Sequence, residues 1–385
     1  MHPQPRLRMS MFRRVGMTFG MVTALAVSAT SLRAQELSDR LTWHASLNAG
    51  YGRSSDLPTL GIPLKGTSDY RLFTLQTRIK LSEKDEFVAQ FLNRKFGASP
   101  LASAIGDLTA QWAYFNHRFT IGDATANIKA GRTPLPRGLL NEVRYIGAVL
   151  PFFRPSMEVY SDAFDALDGA VVSFRKPLGD FSLEAHGFFG GSDWRSVVTT
   201  STGQDVRIQR MENYYGSQLY LDVPFANIRL GAHAARMEVR TATTKGMMTN
   251  TFVSAQSQFS RFTLRAEQSN LNGFVPSRDN HHKYVQAIAQ VTDRFQLAGE
   301  RTISRSRLFF TAPTLRAVLP AATSTGASAI LEVAPGTQLK FEHHWRTGYV
   351  FDSNVTTVRS QIPPSVVLAP PRSTRYWLVS IATTF

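Results

Sequence analysis

Residues 375–385, with the sequence RYWLVSIATTF, alternate bulky apolar side chains with mostly smaller or polar ones up to the final aromatic residue. Trp377, Val379 and Ile381 fall on one face of an extended chain, and Ser380 falls on the other. A period of two is typical of a β-strand that is apolar on one face only. The stretch therefore predicts a strand that separates an apolar environment from a polar one.

The same period recurs along most of the chain. Sixteen runs follow it, most of them about nine to twelve residues long, which is close to what a tilted strand needs to cross a bilayer. In the run 108–120 the pattern does not decide which face is outward, because Trp112 and Tyr114 compete with Phe115 and Phe119 for the outer face. The sixteen runs lie at 41–51, 70–81, 87–95, 108–120, 124–132, 168–176, 181–189, 211–222, 225–238, 249–259, 262–270, 281–291, 295–303, 324–333, 338–347 and 374–385.

Short and long connections alternate between these runs. The short ones include SEKDE, PLGD and APGT, whereas the long ones run from about 10 to about 35 residues. Short turns at one end and long loops at the other are the layout of an outer-membrane barrel. We therefore expect an all-β protein, a transmembrane antiparallel β-barrel of about sixteen strands. Aromatic residues that begin strands after short turns would form a belt at the periplasmic interface: Phe87, Phe181, Phe225, Phe262 and Phe295.

The N-terminal segment 1–34 has the layout of a secretory signal peptide. Four arginines precede an apolar stretch at 15–29, and the sequence SLRAQ offers a cleavage site after Ala34. The mature part, 35–385, is then a single barrel in the bacterial outer membrane. The chain has no cysteine, which excludes disulfides, thiolate metal sites and a cysteine nucleophile.

The chain has a formal net charge of +15. A soluble protein this basic would suggest nucleic acid as a partner, but export argues against it. We expect outer-membrane lipid and small hydrophilic solutes or anions as partners instead, with no cofactor and no bound metal.

The inward faces of the runs are rich in charged side chains. A barrel of about sixteen strands leaves an aqueous lumen, and an excess of positive charge on its wall would concentrate small anions. The alternative is that these charges pair across the wall and only solvate the channel. The basic residues expected to line the pore are Arg78, Arg94, Lys129, Arg175, Arg229, Arg265, Lys340 and Arg346.

The longest connection, 133–167, is unusually apolar for a loop in water. We expect it to fold into the lumen, pack on the wall and narrow the channel. The alternative is an outer loop that covers the barrel mouth or an oligomer interface. In the first case its charged residues would ring the constriction: Arg137, Glu142, Arg144, Arg154 and Glu158.

Within residues 108–190 a predicted strand ending in Gly-Arg leads into a Pro-x-Gly turn and an Asn-Glu-x-Arg stretch. These residues are Gly131, Arg132, Pro136, Gly138, Asn141, Glu142 and Arg144. With this series the segment resembles the bacterial porins related to the phosphate-selective (O/P-like) group. The resemblance implies a passive channel, assembled as a homotrimer.

Two other functions stay open. A lipase-like barrel enzyme would need a Ser-His constellation, for which His343 on an apolar face is the odd residue, but the chain contains no G-x-S-x-G. A structural or adhesive barrel would follow if the long loop sealed the lumen.

The neighbouring pairs His281-His282 and His343-His344 do not predict a metal site, because adjacent strand residues point to opposite faces. We therefore expect a channel rather than an enzyme.

Overall fold

The computed structural model describes residues 40–99, 105–160, 164–200, 203–241, 245–273, 278–309, 316–348 and 372–385. The predicted signal peptide at 1–34 lies outside the described residues. Within them, no helix is both long enough and apolar enough to span a membrane.

Sixteen β-strands account for most of the described chain. Each of the sixteen runs predicted from the sequence coincides with one of them, although the ends differ by several residues. Their bounds are β1 Leu41–Ser54, β2 Thr67–Lys80, β3 Asp85–Phe96, β4 Ile105–Ile121, β5 Ala124–Pro134, β6 Ala166–Leu178, β7 Phe181–Thr200, β8 Gly203–Val223, β9 Ile228–Arg240, β10 Lys245–Phe259, β11 Phe262–Gly273, β12 Arg278–Thr292, β13 Phe295–Phe309, β14 Arg316–Ala334, β15 Thr337–Gly348 and β16 Arg372–Thr384.

The strands form one closed antiparallel barrel in which every strand pairs with its neighbours in sequence. The ring is closed by β1 and β16, whose register pairs Tyr51 with Val379. Beyond β16, the backbone N–H of Phe385 donates to the carbonyl of Ala45 at 2.9 Å. Closure leaves no exposed sheet edge, which a membrane would not tolerate. The predicted fold class is confirmed.

The two ends of the barrel differ. Seven connections of two to four residues lie at one end, which we call the turn end, and all the connections longer than four residues lie at the other, the loop end. Strands β7 and β8 continue far beyond the predicted runs, to Thr200 and from Gly203. A strand that projects beyond an apolar layer has no need to alternate, so its sequence pattern fades there while its backbone pairing continues.

Outward side chains are apolar and exposed, whereas their sequence neighbours point inward and are buried. Val253 and Val285 are 57% and 58% exposed, while the adjacent Phe252 and Tyr284 are 2% and 1% exposed. Water would not favour such an outer wall, but a hydrocarbon environment would. The expected aromatic belt lies on this wall at the turn end, where Phe181, Phe225 and Phe262 are exposed.

A β-bulge settles the two faces of β4. The register between β3 and β4 shifts at Gln90, so that Gln90 pairs with Trp112 and Phe91 pairs with Ala110. The extra residue, Gln111, reverses the alternation of the strand. Trp112 and Tyr114 therefore face inward, while Phe115 is exposed on the outside.

Candidate functional site

The described residues between β5 and β6, 135–160 and 164–165, lie inside the barrel, and we call them the inner loop. On one side Leu140, Leu150 and Tyr160 pack against Phe252 and Tyr284 of the wall. On the opposite side Tyr145 and Phe153 pack against a second group of wall residues: Tyr70, Leu72, Leu92, Phe96, Tyr376 and Leu378. The inner loop therefore bridges the lumen from β10 and β12 to β2, β3 and β16.

Glu267 of β11 forms the densest polar contact between the wall and the inner loop. Its carboxylate accepts hydrogen bonds from the backbone N–H of Leu139 at 2.8 Å and from the Tyr160 hydroxyl. It also accepts from Ser254 at 2.8 Å and from Tyr284 at 2.7 Å. Burial, reinforced by the Glu267 charge, raises the pKa of the Tyr160 phenol above its usual value, so this donor stays protonated.

Strand β15 holds the middle of the inner loop through three of its inward side chains. The Lys340 ammonium donates to the carbonyls of Gly147 and Leu150. The Glu342 carboxylate accepts from the backbone N–H of Phe153 at 2.6 Å. Arg346 Nη2 lies 2.8 Å from Glu158 Oε1 and makes an ion pair that is largely shielded from water.

Glu158 lies on the inner loop and faces the barrel wall. Burial alone would raise the pKa of its carboxyl group, but the Arg346 charge and a backbone hydrogen bond outweigh this, and the pKa falls below its usual value. Glu158 is therefore charged at neutral pH.

The inner loop is also fastened to β3, at Tyr145 and at Asp165. Arg94 donates to the Tyr145 hydroxyl, and the distance from Arg94 Nη1 to Asp165 Oδ2 is 3.6 Å. Tyr145 in turn donates to Asp165. Arg94, Lys340 and Arg346 were predicted as pore-lining residues, and all three lie on the inward face beneath the inner loop.

Arg137 and Arg144 of the inner loop are buried within it. Arg137 donates to the Asn250 amide oxygen and to the Val159 carbonyl, both at 3.0 Å, and its guanidinium lies 4.4 Å from the centre of the Phe252 ring. Burial lowers the pKa of Arg137 to about 10, which still leaves it charged at neutral pH. Arg144 donates to the Tyr160 carbonyl at 2.8 Å.

The residues of the Pro-x-Gly and Asn-Glu-x-Arg stretch shape the base of the inner loop. Asn141 donates to the carbonyls of Leu135 at 2.8 Å and Asp165 at 3.2 Å, which ties the two ends of the loop together. Gly138 has a φ of 62°, and a Cβ there would lie 2.6 Å from the Tyr160 hydroxyl. This position requires glycine for both its backbone conformation and its close packing.

The other two candidate constriction residues differ in exposure. Glu142 is exposed to the lumen. Arg154 is half-buried, and its guanidinium lies 4.0 Å from the centre of the Phe96 ring. The sequence pattern identified the charges of the inner loop, but it could not distinguish those that hold the loop from those that face water.

The other five predicted pore-lining residues lie in the turn-end half of the lumen. Arg78 and Arg175 keep 54% and 58% of their side chains exposed, so this half of the lumen is open to water. Arg78 Nε lies 3.3 Å from Glu86 Oε2, and Arg229 Nη2 lies 2.7 Å from Glu184 Oε2. Their charge is partly neutralised by these carboxylates.

Lys129 and Arg265 have no carboxylate partner in the part of the chain that the structure describes. Arg265 donates to two amide oxygens, those of Gln256 at 2.6 Å and Gln286 at 3.1 Å. Lys129 lies over the Tyr114 ring at 5.6 Å. The inward-facing Arg118 joins this set, and it was missed because the bulge in β4 hid its face in the sequence. Together with Arg78, Arg175 and Arg229, these three residues form an arc of cations on the lumen wall from β2 to β11.

A cavity of about 260 Å³ separates the inner loop from this arc. Glu142 of the loop and Arg229 of β9 face it from opposite sides, together with Glu184, His186 and Gln256. The space is polar and borders the turn-end half of the lumen, so it is where a small hydrophilic solute could enter beside the loop.

His343 lies on the outer wall of β15, half-buried, with its ring centre 4.3 Å from that of Trp345. This is an aromatic contact, and no serine pairs with the imidazole within the described ranges. A group of three histidine or acidic side chains able to hold a metal is also absent from the residues that the structure describes.

Sequence comparison finds no matching protein-family model and no matching curated protein. Among solved structures, the chain is similar to OmpT, an outer membrane protein of Vibrio cholerae, with a TM-score of 0.55 at 9% identity over 90% of this chain and 98% of that one. It is similar to the anion-selective porin of Comamonas acidovorans, with a TM-score of 0.50 at 11% identity over 90% and 99%. OprB of Pseudomonas putida gives a TM-score of 0.54 at 8% identity over 96% and 97%. The fold is that of the porin-like outer-membrane barrels.

Proposed function

We propose that the protein is a porin of the bacterial outer membrane, a passive diffusion channel for small hydrophilic solutes with a mild preference for anions. The observation that carries the proposal is the arc of inward cations in the open half of the lumen. Lys129, Arg118 and Arg265 add positive charge there, and no carboxylate among the described residues pairs with them. A low-dielectric wall strengthens this field and concentrates small anions in the lumen.

The membrane location is supported by the outer wall of the barrel. Exposed valines, leucines and phenylalanines cover it, and closure satisfies the backbone groups without water. The export of the chain through a cleaved signal peptide belongs to the same proposal.

The narrower family assignment is also part of the proposal. The Gly-Arg, Pro-x-Gly and Asn-Glu-x-Arg residues favour a relative of the phosphate-selective porins, assembled as a homotrimer. In this account the protein is not an enzyme, and His343 contributes only to the aromatic outer surface.

The alternative is a sealed structural barrel, and one observation favours it. The inner loop is fastened on several sides of the lumen, by Glu267, by the Lys340–Glu342–Arg346 series and by Arg94. Such a loop would leave only a narrow path along the wall.

An efflux experiment separates the two functions. The purified chain is reconstituted into liposomes that contain either a small anionic or a small cationic dye of similar size. The porin proposal predicts release of both, with the anion faster. Retention of both dyes by liposomes that contain correctly folded barrel would favour the sealed barrel instead.

A further inference from the structure

The outer wall is not uniformly apolar, because one patch near the loop end carries three exposed cations. Lys283 of β12 and Arg301 and Arg305 of β13 all point outward and are exposed. None of them has an ion-pair partner among the described residues. We call these three side chains the outer cationic patch.

The strand register places the three cations together. Lys283 pairs with Ile303 across β12 and β13, so Arg301 and Arg305 are its diagonal neighbours on either side. Diagonal neighbours on one face of a sheet are about 7–8 Å apart, which long side chains can span. The patch can therefore converge on a single group.

Polar side chains that donate or accept hydrogen bonds surround the patch. The Arg301 guanidinium donates to the Thr325 hydroxyl of β14. On the other side, His281 Nδ1 lies 2.7 Å from the Asn270 amide oxygen, and Gln268 donates to the same oxygen at 3.3 Å. The outer faces of β11 to β14 thus carry polar groups on both sides of the patch, with Ile303 as the apolar residue at its centre.

The patch lies where the apolar layer should end. Lys283 and Arg305 are about ten residues from the nearest short turn, which at about 3.3 Å per residue and a tilt of about 40° corresponds to about 25 Å. The apolar band of a barrel has about this height. Closer to the turn end the same strands present Val285 and Leu297, both exposed and apolar.

On the nearby strands β15 and β16, aromatic side chains occupy the comparable level. Trp345 of β15 and Trp377 of β16 lie about eight residues from the turn end, where an interfacial girdle is expected. The outer cationic patch replaces such a girdle on β12 and β13. Its three positive charges would be costly facing hydrocarbon and favourable facing an anionic headgroup.

We propose that the outer cationic patch binds the phosphate groups of an anionic lipid in the outer leaflet. Lys283, Arg301 and Arg305 supply the positive charge, and Thr325 and the surrounding amides supply further hydrogen bonds. This inference rests on the membrane location proposed above, but it does not depend on whether the barrel conducts.

A second copy of the chain is a poorer occupant, because its outer wall has few carboxylates to offer. Four outward carboxylates near the loop end are already in ion pairs with cations of the same wall. These pairs are Asp69 with Lys95, Asp168 with Arg132, Glu212 with Arg240 and Glu238 with Lys245.

Native mass spectrometry of the detergent-purified full chain tests the proposal. The probe is bisphosphorylated lipid A, with its dephosphorylated form as the chemical control. The test variant carries Lys283→Gln, Arg301→Gln and Arg305→Gln. The matched control carries Lys80→Gln, Arg261→Gln and Arg294→Gln, which remove three exposed cations from the turn end.

The proposal predicts that the wild type and the control bind the phosphorylated lipid equally, and that the patch variant binds it on the order of tenfold to a hundredfold more weakly. The dephosphorylated lipid should not distinguish the three proteins. Equal binding by wild type and patch variant would overturn the proposal, as would an equal loss in the control.

Two further measurements keep the test decisive. If the triple variant does not fold, Arg305→Gln alone and a salt titration of the wild type replace it. Binding of the phosphorylated lipid that changes neither with this substitution nor with salt would contradict the proposal. Efficient disulfide cross-linking of Lys283→Cys between two copies would also overturn it, in favour of a protein interface. Channel conductance recorded on the same samples reports the proposed function separately, since the patch lies outside the lumen.

Discussion

Arg346 on β15 and Glu158 on the inner loop form an ion pair, with Arg346 Nη2 2.8 Å from Glu158 Oε1 and side chains only 9% and 16% exposed. The pair joins a wall strand to a segment whose described residues contain no strand and only one short 3-10 helix, at Gly147–Val149. The position of that segment decides how much of the lumen remains open. The fastening of the inner loop is therefore the main structural determinant of the proposed channel.

Loss of this ion pair should loosen the inner loop. Arg346→Gln leaves Glu158 without its cation in a largely buried place, and breaking a buried pair in this way costs about 3 kcal/mol. We expect faster hydrogen exchange at 150–160 and a larger or noisier single-channel conductance. Arg375→Gln, which removes an exposed cation from the outer wall of β16, is the control and should change neither. Unchanged exchange in Arg346→Gln would show that the pair does not hold the loop.

Acid should have a similar effect on the wild type. Because the folded-state pKa of Glu158 is lower than its usual value of 4.5, the pair contributes stability above that usual value. This contribution is lost as the pH falls through the lower folded-state pKa. The protection of amides at 150–160, measured relative to their intrinsic exchange rate at each pH, should therefore fall below about pH 4.5. In Glu158→Gln the same segment should already be loose at pH 7 and should lose part of this pH dependence. An identical pH profile in both proteins would assign the effect to other carboxyl groups.

Removal of the Glu267 carboxylate should release the other side of the inner loop. Glu267→Ala leaves four donors without an acceptor, including the Leu139 backbone and the Tyr160 hydroxyl, at a cost of at least about 2 kcal/mol. We expect proteolytic cleavage within 135–165 while the barrel stays folded, as judged by its heat-dependent migration in gels. Glu332→Ala, which removes a half-buried carboxylate of β14, is the control. Equal protease resistance in both variants would contradict the role assigned to Glu267.

The anion preference should depend on the unneutralised cations of the arc. Lys129→Gln with Arg265→Gln removes two positive charges from the lumen wall and should lower the anion-to-cation permeability ratio by about twofold. Reversal potentials in a salt gradient measure this ratio. Lys176→Gln, on the outer face of β6, should leave it unchanged. A preference that survives the double substitution would have to come from other charges.

The strands were predictable because a bilayer-spanning barrel imposes a strict period of two on each of them. The pattern failed where that constraint is relaxed. It gave no signal for the projecting parts of β7 and β8. It also did not decide which face of β4 is outward, because Gln111 shifts the alternation by one residue. Neither the bulge nor the projection changes the composition enough to be seen.

The site was predictable to a lesser degree. The apolar composition of 133–167 indicated a loop that packs against something, and the eight basic wall residues were assigned to the inward face where the structure has them. The partners were not predictable. That Lys340 holds backbone carbonyls while Arg265 faces water depends on the path of the inner loop, and a pattern along single strands carries no information about that path.

Single-channel recording of the refolded full chain in a planar bilayer, under a salt gradient, tests the central claim most directly. A water-filled barrel narrowed by the inner loop predicts discrete conductance steps and a reversal potential on the anion-selective side. Folded barrels that insert but give no steps, or steps with a clear cation preference, would contradict the account.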